Sequence, residues 1–298
     1  MAGVHSMKKI TIIILAVAIV LLTAGCTPQQ NSYQVIATTK PIYDFTTALC
    51  RNTDIQISLL VTEPLSCLHD YTLQVWQMRA IEASQVVIMN GAGFEDFLSD
   101  VLQDKQTLID ASENIPLQCG GHHHESEHHE HHHDSDPHIW LSIGNAQQMA
   151  INISNGLMEQ YPQHKEQIAQ NLTVLNEEFE KLYTYGQAQL SQLSTRNLIT
   201  FHDGFSYFAE DWDLQILHTV EEESGSEASA AELKELVMLV QQHHLPAIFV
   251  EENGSSSAAQ IVAAETKVDI FILNMAMSEK DYFESMYQNI DAVKEALE

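Results

Sequence analysis

The stretch PQHKEQIAQNLTVLNEEFEKLYTYGQAQLSQL, residues 162–193, decides the fold. Its apolar residues Ile168, Leu172, Leu175, Phe179 and Leu182 recur at steps of four, three, four and three, a narrow stripe along one helical face. Pro162 opens the stretch, and Gly186 interrupts the stripe before Leu190 and Leu193 resume it. About 30 residues at about 1.5 Å each would reach about 45 Å, longer than one small domain needs. Such a helix suits either a coiled-coil dimer or a strut spanning two lobes. The strut is preferred, because alternating strand and helix patterns resume directly beyond it.

Those patterns run on both sides of the helix. Before it, 34–39, 55–61, 86–89 and 107–110 read as short apolar or β-branched strands. Between them, 41–49 opens with Pro41 as a helix should, an amphipathic stretch ends at Ala83, and 94–102 suggests a further helix. Beyond it, strands are expected at 197–204, 214–217, 247–251 and 268–273, with helices at 205–212, 230–243, 256–266 and 282–297. This alternation argues parallel sheets flanked by helices. The expected fold class is therefore α/β, with two similar lobes, mainly parallel sheets and one long rigid joining helix. The boundaries are 34–143 for the first lobe, 144–195 for the linking helices and 196–298 for the second lobe.

The amino terminus indicates the compartment. Lys8 and Lys9 precede an apolar run, residues 10–22, too short for a spanning helix of about 20 residues but suited to a secretory signal. It ends in Leu22-Thr23-Ala24-Gly25-Cys26, which resembles a bacterial lipobox. Residues 1–26 then form the signal, Cys26 carries the lipid, and 27–33 make a polar tether. The expected location is extracytoplasmic, anchored by lipid to the bacterial cell membrane. Outside the cytoplasm, Cys50, Cys67 and Cys119 could supply one disulfide and a spare thiol. Cys67 stands two residues before His69, so thiolate ligation of a metal is the alternative.

The chain has 298 residues and 45% hydrophobic content, enough for a large core. Its net charge of −28, with Lys and Arg totalling 13, excludes nucleic acid as a partner and favours cations.

Histidine chemistry concentrates at one place. Residues 120–135 carry His122, His123, His124, His128, His129, His131, His132 and His133, interleaved with acids and free of apolar side chains. Such a loop cannot bury a core. Neutral imidazole suits Zn²⁺, Cu²⁺ and Ni²⁺, so the loop reads as an accessory metal collector. Three other histidines stand out by position: His69 after a strand, His138 before the long helices, and His202 at the end of a strand. Each has a carboxylate one or two residues away, Asp70, Asp136 and Asp203, able to fix an imidazole tautomer. His164, His218, His243 and His244 read as ordinary polar histidines.

Five motifs then match a known family: Thr39-Lys40-Pro41-Ile42-Tyr43, His69-Asp70-Tyr71, Asn90-Gly91-Ala92-Gly93-Phe94-Glu95, Asp136-Pro137-His138-Ile139-Trp140-Leu141 and Phe201-His202-Asp203. From about Gln34 onward the chain resembles the substrate-binding lipoproteins of bacterial zinc- and manganese-uptake ABC transporters. The resemblance implies a monomer with metal held between two lobes by His69, His138 and His202, delivering it to a membrane permease. It implies no enzymatic activity. Manganese-preferring relatives tend to carry Glu at the third position, whereas His202 makes three nitrogen donors, which favour Zn²⁺ over Mn²⁺. Two departures stand out. Leu65-Ser66-Cys67-Leu68 replaces a Gly/Pro-rich lead-in to His69, and Asn274 stands where a carboxylate usually serves as fourth ligand. Glu279 or a water must then complete the site. The alternatives are a surface metal-binding adhesin and, further off, a zinc-dependent hydrolase, although no His-Glu-x-x-His or serine-nucleophile motif is present.

Overall fold

The computed structural model describes residues 35–63, 68, 71–102, 106–118, 135–220 and 228–298. The signal, Cys26, the tether, Cys67, His69, Cys119 and the eight loop histidines lie outside the described residues.

Each lobe grows from four short apolar strands. In the first, β1 (Val35–Ala37), β2 (Ile57–Leu59), β3 (Val86–Met89) and β4 (Thr107–Asp110) lie in the order β2-β1-β3-β4, all parallel. In the second, β5 (Asn197–Thr200), β6 (Gln215–Thr219), β7 (Ala247–Glu251) and β8 (Asp269–Leu273) lie in the order β6-β5-β7-β8, again all parallel. The second sheet repeats the topology of the first, as the shared rhythm of the halves predicts. Both sheets are covered on two faces, which is why their strands read as continuous apolar runs. Val86 and Ile88 join the main core, while Val87 packs with Ile36, Leu60 and Ile81 on the opposite face.

The helices are α1 (Lys40–Leu49), α2 (Val75–Ala83), α3 (Ile143–Gln160), α4 (Lys165–Gln189), α5 (Ser206–Asp211), α6 (Ala230–His243), α7 (Ser257–Thr266) and α8 (Tyr282–Leu297). No helix of the described residues is long and apolar enough to cross a membrane.

The strut is α4, a helix of 25 residues spanning about 38 Å. It packs against α1, α3 and α8, with Phe179 touching both Phe45 of α1 and Tyr282 of α8. Its buried face is Ile168, Leu175, Phe179, Leu182 and Gly186, the stripe of the sequence. Gly186 is not an interruption, however. A Cβ there would lie 2.2 Å from Cη2 of Trp212, so the glycine admits an indole of the second lobe against the helix. Gly156 of α3 does the same for the first lobe, since its Cβ would lie 2.7 Å from the side chain of Ile109. Two missing side chains thus let the helical pair approach both lobes closely.

Residues 94–102 depart from the expected helix and form only a 3₁₀ turn at Asp96–Leu98. Gly91, Ala92 and Gly93 all take positive φ, and Glu95 folds back to accept the N–H groups of Asn90 and Gly91 at 2.7 and 3.0 Å. A side chain that bonds its own preceding backbone competes with helix formation. Cys50, at the end of α1, is a buried free thiol whose pKa burial pushes up to about 12.

Candidate metal centre

The segment 136–140 is fastened to both lobes. Asn90 donates its side-chain amide to the carbonyl of Pro137 at 3.1 Å, and Tyr207 donates its hydroxyl to the carbonyl of Asp136 at 3.0 Å. The Trp140 indole N–H donates to the carbonyl of Met275 at 2.7 Å, and the Tyr282 hydroxyl to that of Trp140 at 2.9 Å. Tyr282 in turn packs edge-on against Phe45. These bonds and the buried Ile139, Trp140 and Leu141 leave His138 little freedom.

His138 is itself buried, 2% exposed. Its Nδ1 lies 2.8 Å from Oδ1 of Asp136, which also accepts the His138 backbone N–H at 2.9 Å. With an acceptor oxygen on Nδ1, the favoured tautomer is Nδ1–H, and in the neutral imidazole Nε2 then carries the lone pair. Among the described residues, Nε2 has no hydrogen-bond partner. A buried nitrogen lone pair without a donor is costly unless something else occupies it. Phe94 and Trp140 flank the ring.

His202 arrives from the other lobe, just past β5. Its ring centroid is 5.4 Å from that of His138, nearly perpendicular to it. β5 and β7 are the neighbours at which strand order reverses in the second sheet, the place where parallel sheets open a ligand crevice. Gly204 keeps the space clear, because a Cβ there would lie 2.7 Å from Cε of Met275 and 3.0 Å from Cδ2 of His202. The carboxylate beside His202 is Glu251, the last residue of β7, with Oε2 3.5 Å from Nδ1. Glu251 is buried, and desolvation, with the nearby Glu252 charge adding, raises its pKa to about 7.

Among the described residues, no three His, Cys, Asp or Glu side chains gather in metal-holding geometry. The structure brings together His138 and His202; His69 lies outside the described residues. Its neighbours are fixed: Leu68 is buried in the main core, and Tyr71 packs on Phe97 and accepts from Gln77 at 2.6 Å. Asn274 is engaged within its own loop, its Oδ1 accepting the N–H of Ala276 and its amide donating to Ser278 and Glu252. Glu279 is exposed on the loop after β8. Of the remaining histidines, His164 pairs with Asp54 at 2.6 Å, and His244 closes α6 in the left-handed conformation. Glu251 escaped the sequence reading. Its only signal was a carboxylate ending an apolar strand at the carboxyl edge of a parallel sheet.

The profile of the ZnuA family, zinc-uptake complex component A, periplasmic, matches residues 35–296. A Treponema pallidum protein provisionally named metal-binding is 30% identical over 240 residues, 76% of either chain. The zinc-binding lipoprotein AdcA of Streptococcus pneumoniae is 28% identical over 311 residues, covering 97% of this chain and 61% of AdcA. The present chain thus spans about three-fifths of the AdcA length. A crystal structure of ZnuA superposes with a TM-score of 0.78 at 26% identity, covering 90% of this chain and all of that one. With the family profile matched almost end to end over both lobes, the chain belongs to the ZnuA family.

Proposed function

We propose that this protein captures Zn²⁺ outside the cytoplasm and delivers it to the permease of an ABC importer. The carrying observation is the buried Nε2 of His138, without a hydrogen-bond partner among the described residues, on a ring 5.4 Å from a second imidazole of the opposite lobe. His69, His138 and His202 supply three nitrogen donors, a set that suits Zn²⁺ better than Mn²⁺. Because Asn274 is engaged in its own loop, the fourth position falls to Glu279 or to a water. Ligands drawn from two lobes suit capture and release, in which zinc is cargo and no reaction is performed. The chain acts as a monomer held at the membrane by a lipid on Cys26, a reading supported by the lipobox and by the lipoprotein name of AdcA. The histidines from His122 to His133 collect metal at lower affinity.

The test is zinc affinity by competition with a chelating dye. Replacing His138 with Ala is expected to weaken tight binding by at least about 10-fold. Affinity equal to the parent's would refute the assignment.

A further inference from the structure

We propose that Glu251 is the positioning residue of His202, accepting its Nδ1–H so that Nε2 is presented to zinc. This rests on the reading of His202 as a ligand. Three observations carry it. Glu251 ends β7 and His202 follows β5, and these strands are direct neighbours in the second sheet. Glu251 is 4% exposed, and its Oε2 accepts no hydrogen bond among the described residues while standing 3.5 Å from His202 Nδ1. Third, the same arrangement already exists across the site, where Asp136 lies 2.8 Å from Nδ1 of His138. A carboxylate on Nδ1 fixes the tautomer of a metal-bound imidazole and raises its basicity. Closing the gap at His202 takes a few tenths of an ångström.

The backbone holds Glu251 where this requires. Glu251 pairs in register with Leu273 of β8, and the N–H of Gly254 returns to the Glu251 carbonyl at 3.2 Å. Gly254 closes over the side chain, for a Cβ there would lie 3.3 Å from Cβ of Glu251. Neighbouring Glu252 is taken by Lys280 at 3.1 Å and by Asn274. Of the two adjacent acids, only Glu251 serves the histidine.

The experiment compares Glu251→Leu, Glu251→Gln and His138→Ala in the full mature chain. It reads zinc affinity by dye competition, thermal stability without metal, and the His202 Nδ1 proton by ¹⁵N-resolved NMR of the zinc-loaded protein. Glu251→Leu is expected to weaken zinc binding by about 10-fold or more and to shift or remove the Nδ1 proton signal. Its metal-free stability should hold or rise, because an unbonded buried carboxylate has been removed. Glu251→Gln keeps an acceptor oxygen and should fall between. A merely structural role would instead lower metal-free stability and leave the proton signal in place. Parent-like zinc affinity and an unchanged Nδ1 proton in Glu251→Leu would overturn the inference. If His138→Ala also bound like the parent, the zinc site itself would fall; if His138→Ala were impaired, only the role of Glu251 would.

Discussion

Asp136 grips His138 at two points with one oxygen: Oδ1 accepts both the backbone N–H at 2.9 Å and the ring Nδ1–H at 2.8 Å. The imidazole is therefore oriented before any metal arrives, and the ordering cost is already met in the folded chain. Asp136→Asn replaces the anion by an amide that accepts more weakly and can turn its NH₂ toward Nδ1. Zinc affinity is expected to fall by about 10- to 100-fold, with His138 still buried. Dye competition measures it, and an Asn variant that binds zinc like the parent would show the carboxylate to be dispensable.

Gly186 lies under the indole of Trp212, stacked in turn on Tyr183 at 5.5 Å. Ala at position 186 would put a methyl 2.2 Å from Cη2 of Trp212. Overpacking of this kind costs about 1–3 kcal/mol. Gly186→Ala should lower the melting temperature of the metal-free protein by several degrees, while zinc still binds at the cleft. An unchanged melting temperature would mean that the helix and the second lobe part without strain.

What could be read in the sequence was local. Val86–Met89 and Ala247–Glu251 were legible as strands because both faces of a parallel sheet are apolar, and 282–297 was legible as a helix, one that the structure shows capped by Asp281. The α4 stripe was legible from the spacing of its apolar residues. Gly186 was misread because its meaning lies in Trp212, an indole delivered by the second lobe. The helix expected at 94–102 failed because Glu95 spends its carboxylate on Asn90 and Gly91. Glu251 was missed because its neighbour His202 becomes a neighbour only once β7 pairs with β5. His138 was found because Asp136, its partner, is two residues away.

Glu95 gives the first lobe a pH-dependent stability. It is buried and accepts from Thr38 Oγ1 at 2.6 Å as well as from two backbone N–H groups. Desolvation outweighs these donors and raises its pKa from 4.5 to about 7. The folded chain therefore binds this proton more tightly than the unfolded chain does. Its stabilisation is fully present below about pH 4.5, is lost as pH rises toward about 7, and changes little above that. Relative to Glu95→Gln, whose side chain does not titrate, the parent should lose on the order of 3 kcal/mol across that window. Denaturant titrations of both proteins at several pH values test this, and a constant difference would refute it.

The last prediction separates the cleft from the histidine-rich segment. The described ends of that segment are already joined, since Asp136 N–H donates to the carbonyl of Gln118 at 3.0 Å and Gln118 N–H to the hydroxyl of Tyr207 at 2.9 Å. Residues 120–134 can thus be replaced by Gly-Gly without disturbing Asp136 or His138. The sequence of 120–134 offers eight near-equivalent imidazoles and no apolar side chain to bury them, whereas His138 is buried and held by Asp136 beforehand. Sites within His122–His133 should then be weaker, more numerous and less selective than the cleft. The deletion is expected to reduce zinc stoichiometry to one, measured by calorimetry, and to leave the tight affinity within about two-fold, well under the 10-fold expected for losing a ligand. Loss of the tight site on deletion would mean that the segment supplies a ligand of its own, and that neither Glu279 nor water completes the coordination.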